Sequence, residues 1–261
     1  MLSSHEKQYH INVSADQIGK YCILPGDPGR CEKIAAYFDE PYHVSTNREY
    51  CIWNGKICGE TVTVCSTGIG GPSAAIAIEE LVACGAHTFI RVGTCGGIDL
   101  KVKSGDAVIA SGAVRQDGTS REYAPLEFPA VSDPDVMFAL REAASKLNIP
   151  NHTGVVQAKD SFYGQHSPLR MPTASDLTEK WEAWKRLGVL ASEMESGTLF
   201  TVASYLRVPC GSVFSVVWNQ ERANAGLDTD SDEQHDTTGA IRICIEALKS
   251  LITKDKEIAH E

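Results

Sequence analysis

Three glycine-rich segments hold the residues of this sequence best suited to bind an anion. Each follows an apolar run that predicts a β-strand, and two of them contain an arginine. Glycines let backbone N–H groups crowd around an anion, and the planar fork of arginine grips two phosphate oxygens at once. Together they predict a phosphate site at the carboxyl ends of sheet strands. The segments are Leu24-Pro25-Gly26-Asp27-Pro28-Gly29-Arg30, Ser66-Thr67-Gly68-Ile69-Gly70-Gly71-Pro72-Ser73 and Arg91-Val92-Gly93-Thr94-Cys95-Gly96-Gly97.

The common nucleotide-binding signatures are absent from these segments. No turn fits G-x-G-x-x-G at the start of a helix, and G-x-x-x-x-G-K-[ST] does not occur. One glycine-rich turn in an α/β protein usually holds no ligand, whereas three turns that include Arg30, Arg91 and Thr94 favour a real site. The net charge of −10 gives no electrostatic reason to approach nucleic acid or an anionic membrane. The sequence therefore favours a small phosphate-bearing ligand in a local positive pocket.

Cysteine and histidine usage argues against disulfides and metal chemistry. The nine cysteines form no C-x-x-C pair and the eight histidines form no H-x-x-x-H pattern. Such scattered cysteines are typical of buried, reduced thiols in the cytoplasm. No secretory signal is visible in residues 1–17, and the longest small and apolar run, residues 107–114, is too short to span a bilayer. We expect a cytoplasmic protein without a catalytic metal.

Strand-like and helix-like segments alternate along the chain. This order predicts one α/β domain over residues 1–261, a three-layer α/β/α arrangement around a central mixed, largely parallel sheet. Residues 161–188 interrupt the pattern with glycine, prolines and two tryptophans, and predict a lid or base-pocket insertion. The predicted strands are 21–24, 61–65, 88–92, 106–114, 153–158 and 211–217. The predicted helices are 29–38, 72–83, 134–147, 194–206 and 236–252.

Six motifs in a fixed order resemble the nucleoside phosphorylase-I superfamily, most closely its uridine phosphorylase branch. The resemblance runs from about His10 to Gln220. It implies reversible phosphorolysis of uridine to uracil and ribose 1-phosphate in pyrimidine salvage, with use of 2′-deoxyuridine left open. The alternative is a purine or broad-specificity nucleoside phosphorylase. The motifs are Pro25-Gly26-Asp27-Pro28-x-Arg30, Arg48-Glu49, the segment 66–73, Arg91-x-Gly93-Thr94-x-Gly96, the segment 124–130 and Glu193-Met194-Glu195-Ser196.

The resemblance assigns a role to each candidate site residue. The same resemblance implies a hexamer built from three dimers, in which Arg48 and His10 reach the neighbouring subunit's site, and a structural K⁺ at the dimer interface. Phosphate is the co-substrate and no cofactor is required. The implied phosphate ligands are Gly26, Arg30, Arg48, Arg91 and Thr94; the ribose ligands are His10, Thr94, Met194 and Glu195; the base contacts are Phe162 and Gln165; and the cation ligands are Glu49, Ile69 and Ser73.

These residue types suit the chemistry of glycosidic cleavage. The sugar passes through an oxocarbenium-like state while the base leaves with negative charge, and phosphate itself is the nucleophile. Arginines such as Arg91 position and neutralise the phosphate, which is catalysis by proximity and electrostatics. Glu195, predicted at a strand-to-helix junction, can accept hydrogen bonds from two ribose hydroxyls. Alternatively, Glu195 is an acidic residue whose charge only stabilises the N-terminus of the helix.

The base-binding motif departs from the family pattern. Uridine phosphorylases usually have Gln-x-Arg and a second arginine after an asparagine, whereas this chain has Gln165-His166-Ser167 and Asn219-Gln220. Lys159 and His166 are the nearby candidates to support the leaving uracil. Alternatively, Lys159 is a solvent-facing lysine at a strand end, and His166 is a mobile lid residue.

The carboxylates that purine-cleaving relatives use are also missing. Those relatives carry a general-acid aspartate after the strand that corresponds to 213–217, and residues 215–219 here have no carboxylate. This favours a pyrimidine substrate. A non-catalytic nucleoside-binding protein on the same scaffold is a third reading, but it would not need the arginines and Glu195.

Overall fold

The computed structural model describes residues 6–260, and its elements are named here in chain order. The strands are β1 (Tyr21–Pro25), β2 (Asp39–Asn47), β3 (Tyr50–Ile57), β4 (Glu60–Cys65), β5 (Thr88–Gly97), β6 (Ala107–Gln116), β7 (Ala130–Val131), β8 (Asn151–Lys159), β9 (Ala191–Glu193) and β10 (Cys210–Asn219). The helices are α1 (Gly29–Ala35), α2 (Gly71–Ala83), α3 (Thr119–Tyr123), α4 (Pro134–Lys146), α5 (Phe162–His166), α6 (Ala174–Arg186), α7 (Ser196–Leu206), α8 (Gln220–Asn224) and α9 (Thr238–His260).

The strands form one mixed sheet, as predicted. Its order is β10-β6-β8-β9-β5-β1-β4-β3-β2, with β7 attached to β6. Strand β10 also pairs in parallel with β5, so β5, β10, β6, β8 and β9 close into a ring. Within this ring, β6, β8 and β9 run opposite to β5 and β10.

Helices cover both faces of the sheet, which confirms the three-layer arrangement. On one face, Ile78 and Leu81 of α2 and Phe200 of α7 pack into one buried cluster. On the other, Leu140 of α4 and Leu248 of α9 belong to a second cluster, with α1 beside them. Burial of these apolar faces is the main force that holds the layers together. Within residues 6–260, no helix is both long and apolar enough to cross a membrane.

Several element boundaries differ from the sequence prediction. The hairpin of β2 and β3 was not predicted, because β2 is mostly exposed and has no alternation of polar and apolar residues. Helix α1 ends at Ala35, short of residue 38, and α9 runs past residue 252 to His260. Residues 161–188 are folded as α5, a short 3₁₀ helix and α6, so the predicted insertion is largely helical.

The third glycine-rich segment is not a turn, which corrects the sequence prediction. Residues 91–97 continue β5 to its end, where Gly96 and Gly97 pair with both β9 and β10. A Cβ atom at Gly97 would lie 2.5 Å from the Asn219 side chain, so the glycine allows β10 to approach. The backbone groups that could surround an anion therefore belong to the turns after β1 and β4, and β5 contributes side chains instead.

Candidate active site

One cavity of about 1030 Å³ lies where the carboxyl ends of β1, β5, β8, β9 and β10 meet. Most of the predicted site residues lie on its wall. These are Gly26, Arg30, Ile69, Arg91, Thr94, Lys159, Phe162, Gln165, His166, Met194 and Glu195. Residues that sequence reasoning assigned to phosphate, ribose and base thus share one space.

Arg91 is buried at the centre of this cavity. Its Nε donates to Glu193 Oε2 at 3.1 Å, and its Nη2 donates to Glu195 Oε2. Its Nη1 is buried and has no partner within the described residues. Burial lowers the Arg91 pKa, but the charges of Glu195 and Glu193 outweigh that effect and raise it. The guanidinium is therefore permanently charged, held by two carboxylates, and keeps one N–H₂ group for a ligand.

Glu193 connects Arg91 to the start of α7. Its Oε2 accepts from the Glu195 backbone N–H at 3.0 Å and its Oε1 accepts from the Ser196 N–H at 2.8 Å. These bonds satisfy backbone donors at the helix N-terminus, where a carboxylate is favoured. Burial and the charge of Glu195 still raise the Glu193 pKa, while Arg91 opposes the rise. Glu193 thus fixes Arg91 and the adjacent Glu195 backbone at the same time.

Glu195 lies between β9 and α7, the strand-to-helix junction that the sequence predicted. Its side chain is buried, and its Oε1 accepts from the Gly70 backbone N–H at 2.7 Å. Gly70 has φ +94°, a left-handed conformation that glycine adopts without strain. Since a carboxylate has lone pairs beyond these two contacts, Glu195 can still accept hydrogen bonds from sugar hydroxyls.

The turns after β1 and β4 converge on Arg91. A Cβ atom at Gly26 would lie 3.1 Å from the Gly68 carbonyl oxygen and 3.9 Å from Arg91 Nη1. The absence of side chains at these glycines leaves space for a small ligand between the turns. Arg30 reaches the same space, and its pKa is lowered by burial and by Arg91, an effect that Asp27 and Glu195 oppose. Two cationic groups close together here favour a divalent anion such as phosphate.

Lys159 and His166 line the same cavity, together with Gln165. Lys159 is only 6% exposed, and its Nζ donates to Ser192 Oγ at 2.7 Å. Ser192 Oγ in turn donates to Gln165 Oε1 at 2.7 Å, which leaves the Gln165 Nε2 for a ligand carbonyl. Burial lowers the Lys159 pKa to about 8, although Glu193 and Glu195 favour its charged form. The solvent-facing reading of Lys159 is wrong.

The Phe162 ring faces the Lys159 ammonium. The ring centroid of Phe162 lies 6.0 Å from Lys159 Nζ and 4.3 Å from the ring centroid of His166. Burial, and then the charge of Lys159, lowers the His166 pKa, so this imidazole is neutral near pH 7. The exposed face of Phe162 is available for stacking on a planar base.

Known proteins resemble this chain over nearly its whole length. Residues 20–252 match the family model described as the phosphorylase superfamily. The chain belongs to the phosphorylase superfamily. It is 52% identical to the uridine phosphorylase of Treponema pallidum (strain Nichols), over 98% of each chain. It is 39% identical to the uridine phosphorylase of Escherichia coli (strain K12), over 94% of this chain and 98% of the relative. It is 38% identical to the guanosine phosphorylase of Halorubrum lacusprofundi, over 94% of this chain and 99% of the relative.

Two residues that resemblance to the superfamily assigned to the site lie away from the cavity of their own chain. Arg48 is exposed, with its guanidinium carbon 5.8 Å from the centroid of the exposed Tyr9 ring. His10 Nδ1 bonds Glu80 Oε1 at 2.6 Å, and the His10 backbone N–H bonds the same carboxylate. Asn47 Nδ2 donates to the His10 carbonyl at 2.7 Å, so His10 and the loop before Arg48 form one surface.

The three oxygen donors predicted for a monovalent cation lie around the turn after β4. Ser73 Oγ is 2.8 Å from Glu49 Oε1 and also contacts the Thr67 carbonyl. One hydroxyl hydrogen cannot serve both acceptors, so a cation suits this group of oxygens. Ile69, whose carbonyl completes the predicted set, is 78% exposed. The Glu49 carboxylate, whose pKa is lowered by the N–H of its own residue and by Ser73, is charged.

Some residues of the cavity were not predicted from the sequence. Glu193 was quoted in a motif without a role, and Ser192 was not singled out, although it links Lys159 to Gln165. Trp218 and Glu233 also line the cavity. Glu233 is exposed and pairs with His235 at 3.1 Å, and it comes from a loop fourteen residues after β10 that no pattern marks. The signal available for Glu193 was its spacing: two acids flank one residue at the predicted junction.

Proposed function

We propose that this protein is a uridine phosphorylase. It catalyses the reversible phosphorolysis of uridine to uracil and ribose 1-phosphate, a pentosyl transfer, with phosphate as co-substrate and no required cofactor. The observation that carries the proposal is the buried Nη1 of Arg91, which has no partner among residues 6–260 and lies beside the Gly26 turn and the Glu195 carboxylate. An anion site beside a hydroxyl-binding carboxylate is what phosphate and ribose require together.

The reaction follows from the placement of these groups. Phosphate bound by Arg30 and Arg91 attacks the anomeric carbon, forming a C–O bond while the bond from that carbon to uracil N1 breaks. The bonding electron pair leaves with uracil, whose carbonyl oxygens gain negative charge. The Lys159 ammonium and Gln165 Nε2 stabilise that charge. Glu195 and Met194 hold the ribose, and Phe162 stacks on the base.

A purine nucleoside substrate is the alternative, because the chain is also 38% identical to the guanosine phosphorylase of Halorubrum lacusprofundi. Purine cleavage by this route needs an acid near the base to protonate N7. The end of β10, from Ser215 to Asn219, offers none. Glu233 on the cavity wall is exposed, and its carboxylate is paired with His235. A pyrimidine remains the favoured base.

We further propose that the working unit is a dimer within a hexamer. Arg48 and His10 are part of a surface outside their own cavity, which fits their donation to a neighbouring site. A K⁺ ion held by Glu49, Ser73 and the Ile69 carbonyl would stabilise that contact by neutralising the carboxylate. The nine free cysteines fit a reducing compartment, so we place the protein in the cytoplasm, in pyrimidine salvage.

Base release measured with and without phosphate tests the proposal. Purified protein is incubated with uridine, 2′-deoxyuridine, thymidine, inosine or guanosine, and the free bases are separated by chromatography. We expect uracil release from uridine that saturates with phosphate, and slow release from inosine and guanosine. Equal uracil release in phosphate-free buffer would indicate a hydrolase. Inosine or guanosine turnover that matches that of uridine would overturn the pyrimidine assignment.

A further inference from the structure

A second cavity of about 400 Å³ adjoins the active-site cavity. Lys159 and Gln165 line both cavities, so these side chains form a wall that the two spaces share. Unlike the first cavity, the second is rich in amides. Its glutamines are Gln116 at the end of β6, Gln157 on β8, Gln165 on α5 and Gln220 on α8.

Two amide oxygens in this second cavity are buried and have no partner. Gln157 is only 3% exposed, yet its Oε1 makes no hydrogen bond with any described residue. Gln220 Oε1 is in the same situation. A buried acceptor without a donor is unfavourable by about 1–3 kcal/mol. In a polar cavity, a water or a ligand supplies the missing donor.

The orientation of the Gln157 amide is fixed by a chain of hydrogen bonds from α6. Trp184 Nε1 can only donate, and it donates to Gln116 Oε1 at 3.2 Å. The same oxygen accepts from Gln157 Nε2 at 2.5 Å. Because the indole forces Gln116 to present its oxygen, Gln157 must present its Nε2 to Gln116 and its Oε1 elsewhere. Gln157, on the wall of the second cavity, therefore carries a preorganised acceptor that cannot turn into a donor without breaking the chain.

We propose that the second cavity is a subsite for a substituent at C5 of a pyrimidine nucleoside that ends in a hydrogen-bond donor. This inference rests on the proposed function, which places the base against Phe162, Lys159 and Gln165. N1 of the base carries ribose, and O2, N3 and O4 form the edge that Gln165 and Lys159 read. Only C5 and C6 remain, and C6 lies beside the sugar. A hydroxymethyl or aminomethyl group at C5 would donate to Gln157 Oε1.

Kinetics with a matched pair of substrates test the subsite. We measure kcat/KM for uridine, 5-methyluridine and 5-(hydroxymethyl)uridine, and take the ratio of the hydroxymethyl to the methyl compound as the readout. This ratio isolates the hydroxyl group, because both substrates carry a carbon at C5. One neutral hydrogen bond is worth about two- to tenfold, so Gln157→Leu should lower the ratio by about that factor.

Two tryptophan variants separate orientation from packing. Trp184→Phe removes the indole donor that fixes Gln116, and we expect it to lower the ratio in the same direction as Gln157→Leu. Trp181→Phe is the comparison: it makes the same change on the same helix and in the wall of the second cavity, but Trp181 Nε1 donates to Glu221 Oε1 at 2.8 Å and not to the glutamine chain. It should not lower the ratio. If Gln157→Leu does not fold, the comparison of Trp184→Phe with Trp181→Phe tests the subsite by itself.

The outcomes distinguish this inference from the proposed function. A ratio that is the same in the unaltered protein, Gln157→Leu and Trp184→Phe means that the second cavity holds only water, and overturns the subsite. Cleavage of uridine with no cleavage of either C5-substituted nucleoside overturns the subsite and leaves the proposed function intact. Failure to cleave uridine itself overturns both. A lowered ratio in Gln157→Leu and Trp184→Phe, but not in Trp181→Phe, supports the subsite.

Discussion

Replacing Lys159 by methionine should stabilise the fold and impair the reaction. The side chain is 6% exposed, and burial lowers its pKa from 10.5 to about 8. The unfolded chain therefore holds this proton more tightly than the folded protein does. Stability then rises with pH between about 8 and 10.5, and the lysine is most unfavourable below pH 8, where it is charged in both states.

The size of the effect follows from the same pKa change. A decrease from 10.5 to about 8 corresponds to about 3 kcal/mol of folding free energy at pH 7. Methionine has nearly the same length, so it fills the space without the charge. Loss of the hydrogen bond to Ser192 offsets about 1 kcal/mol of that gain. We expect Lys159→Met to be more stable by about 2 kcal/mol at pH 7 and by about 1 kcal/mol at pH 9.

Urea unfolding at both pH values measures this difference. Protein concentration is held equal throughout, because assembly adds to apparent stability. Lys159→Arg serves as the charge control, since arginine stays protonated over the whole range. It should be no more stable than the unaltered protein at pH 7, and should lose about 1 kcal/mol relative to it between pH 7 and 9, because only the unaltered protein can release the proton. A Lys159→Met protein that is no more stable at pH 7 than at pH 9, relative to the unaltered protein, would refute a buried lysine with a lowered pKa.

The catalytic activity of Lys159→Met should fall, although its stability rises. A cation beside the leaving uracil stabilises the transition state more than the ground state, so Lys159→Met should lower kcat by about 100-fold and change KM less. In the unaltered protein, kcat/KM should fall about tenfold between pH 7 and 9 as Lys159 loses its proton. Lys159→Arg should not show that fall. A kcat near normal in Lys159→Met would mean that another group supports the leaving base.

Three further perturbations test other parts of the site. Arg91→Ala should lower turnover at least about 100-fold in phosphate-saturated assays, because it removes a preorganised donor; turnover within tenfold of normal would contradict the phosphate assignment. Subunits carrying Arg48→Ala, mixed with subunits carrying Glu195→Ala, should regain activity, since each hybrid dimer would contain one intact site; no recovery after verified exchange would place Arg48 outside the mechanism. His166→Ala should lower kcat for uridine through lost packing on Phe162, and an unchanged kcat would exclude His166 from the base site.

The sequence was sufficient to predict the layers of the fold and the position of Glu195, for a physical reason. Buried strands and helix starts leave local signals, namely apolar runs, a proline in the first turn of α2 and Asp133 capping α4, whose side chain accepts from the Val136 N–H. The predicted helix 194–206 placed Glu195 at the start of a helix, whereas the three-residue strand β9 before it was not among the predicted strands.

Other features depend on contacts between distant parts of the chain and leave no local signal. Ser192 and Lys159 are 33 residues apart, and Trp184 and Gln116 are 68 residues apart. The extension of β5 through its glycines depends on β10, which lies more than a hundred residues later in the chain. Patterns within a short window cannot report such pairings, so the reading of residues 91–97 as a turn was wrong.

The closed ring of strands sets the order in which this protein can be completed during synthesis. Strand β5 carries Arg91 and lies mid-chain, yet one of its two long edges is covered only by β10, which emerges from the ribosome after residue 209. Until then, that edge exposes unpaired N–H and C=O groups beside the buried side chains of Phe89, Ile90 and Val92. A nascent or truncated chain that stops before Cys210 therefore has neither a finished site nor a protected edge. Such chains are candidates for aggregation or chaperone binding.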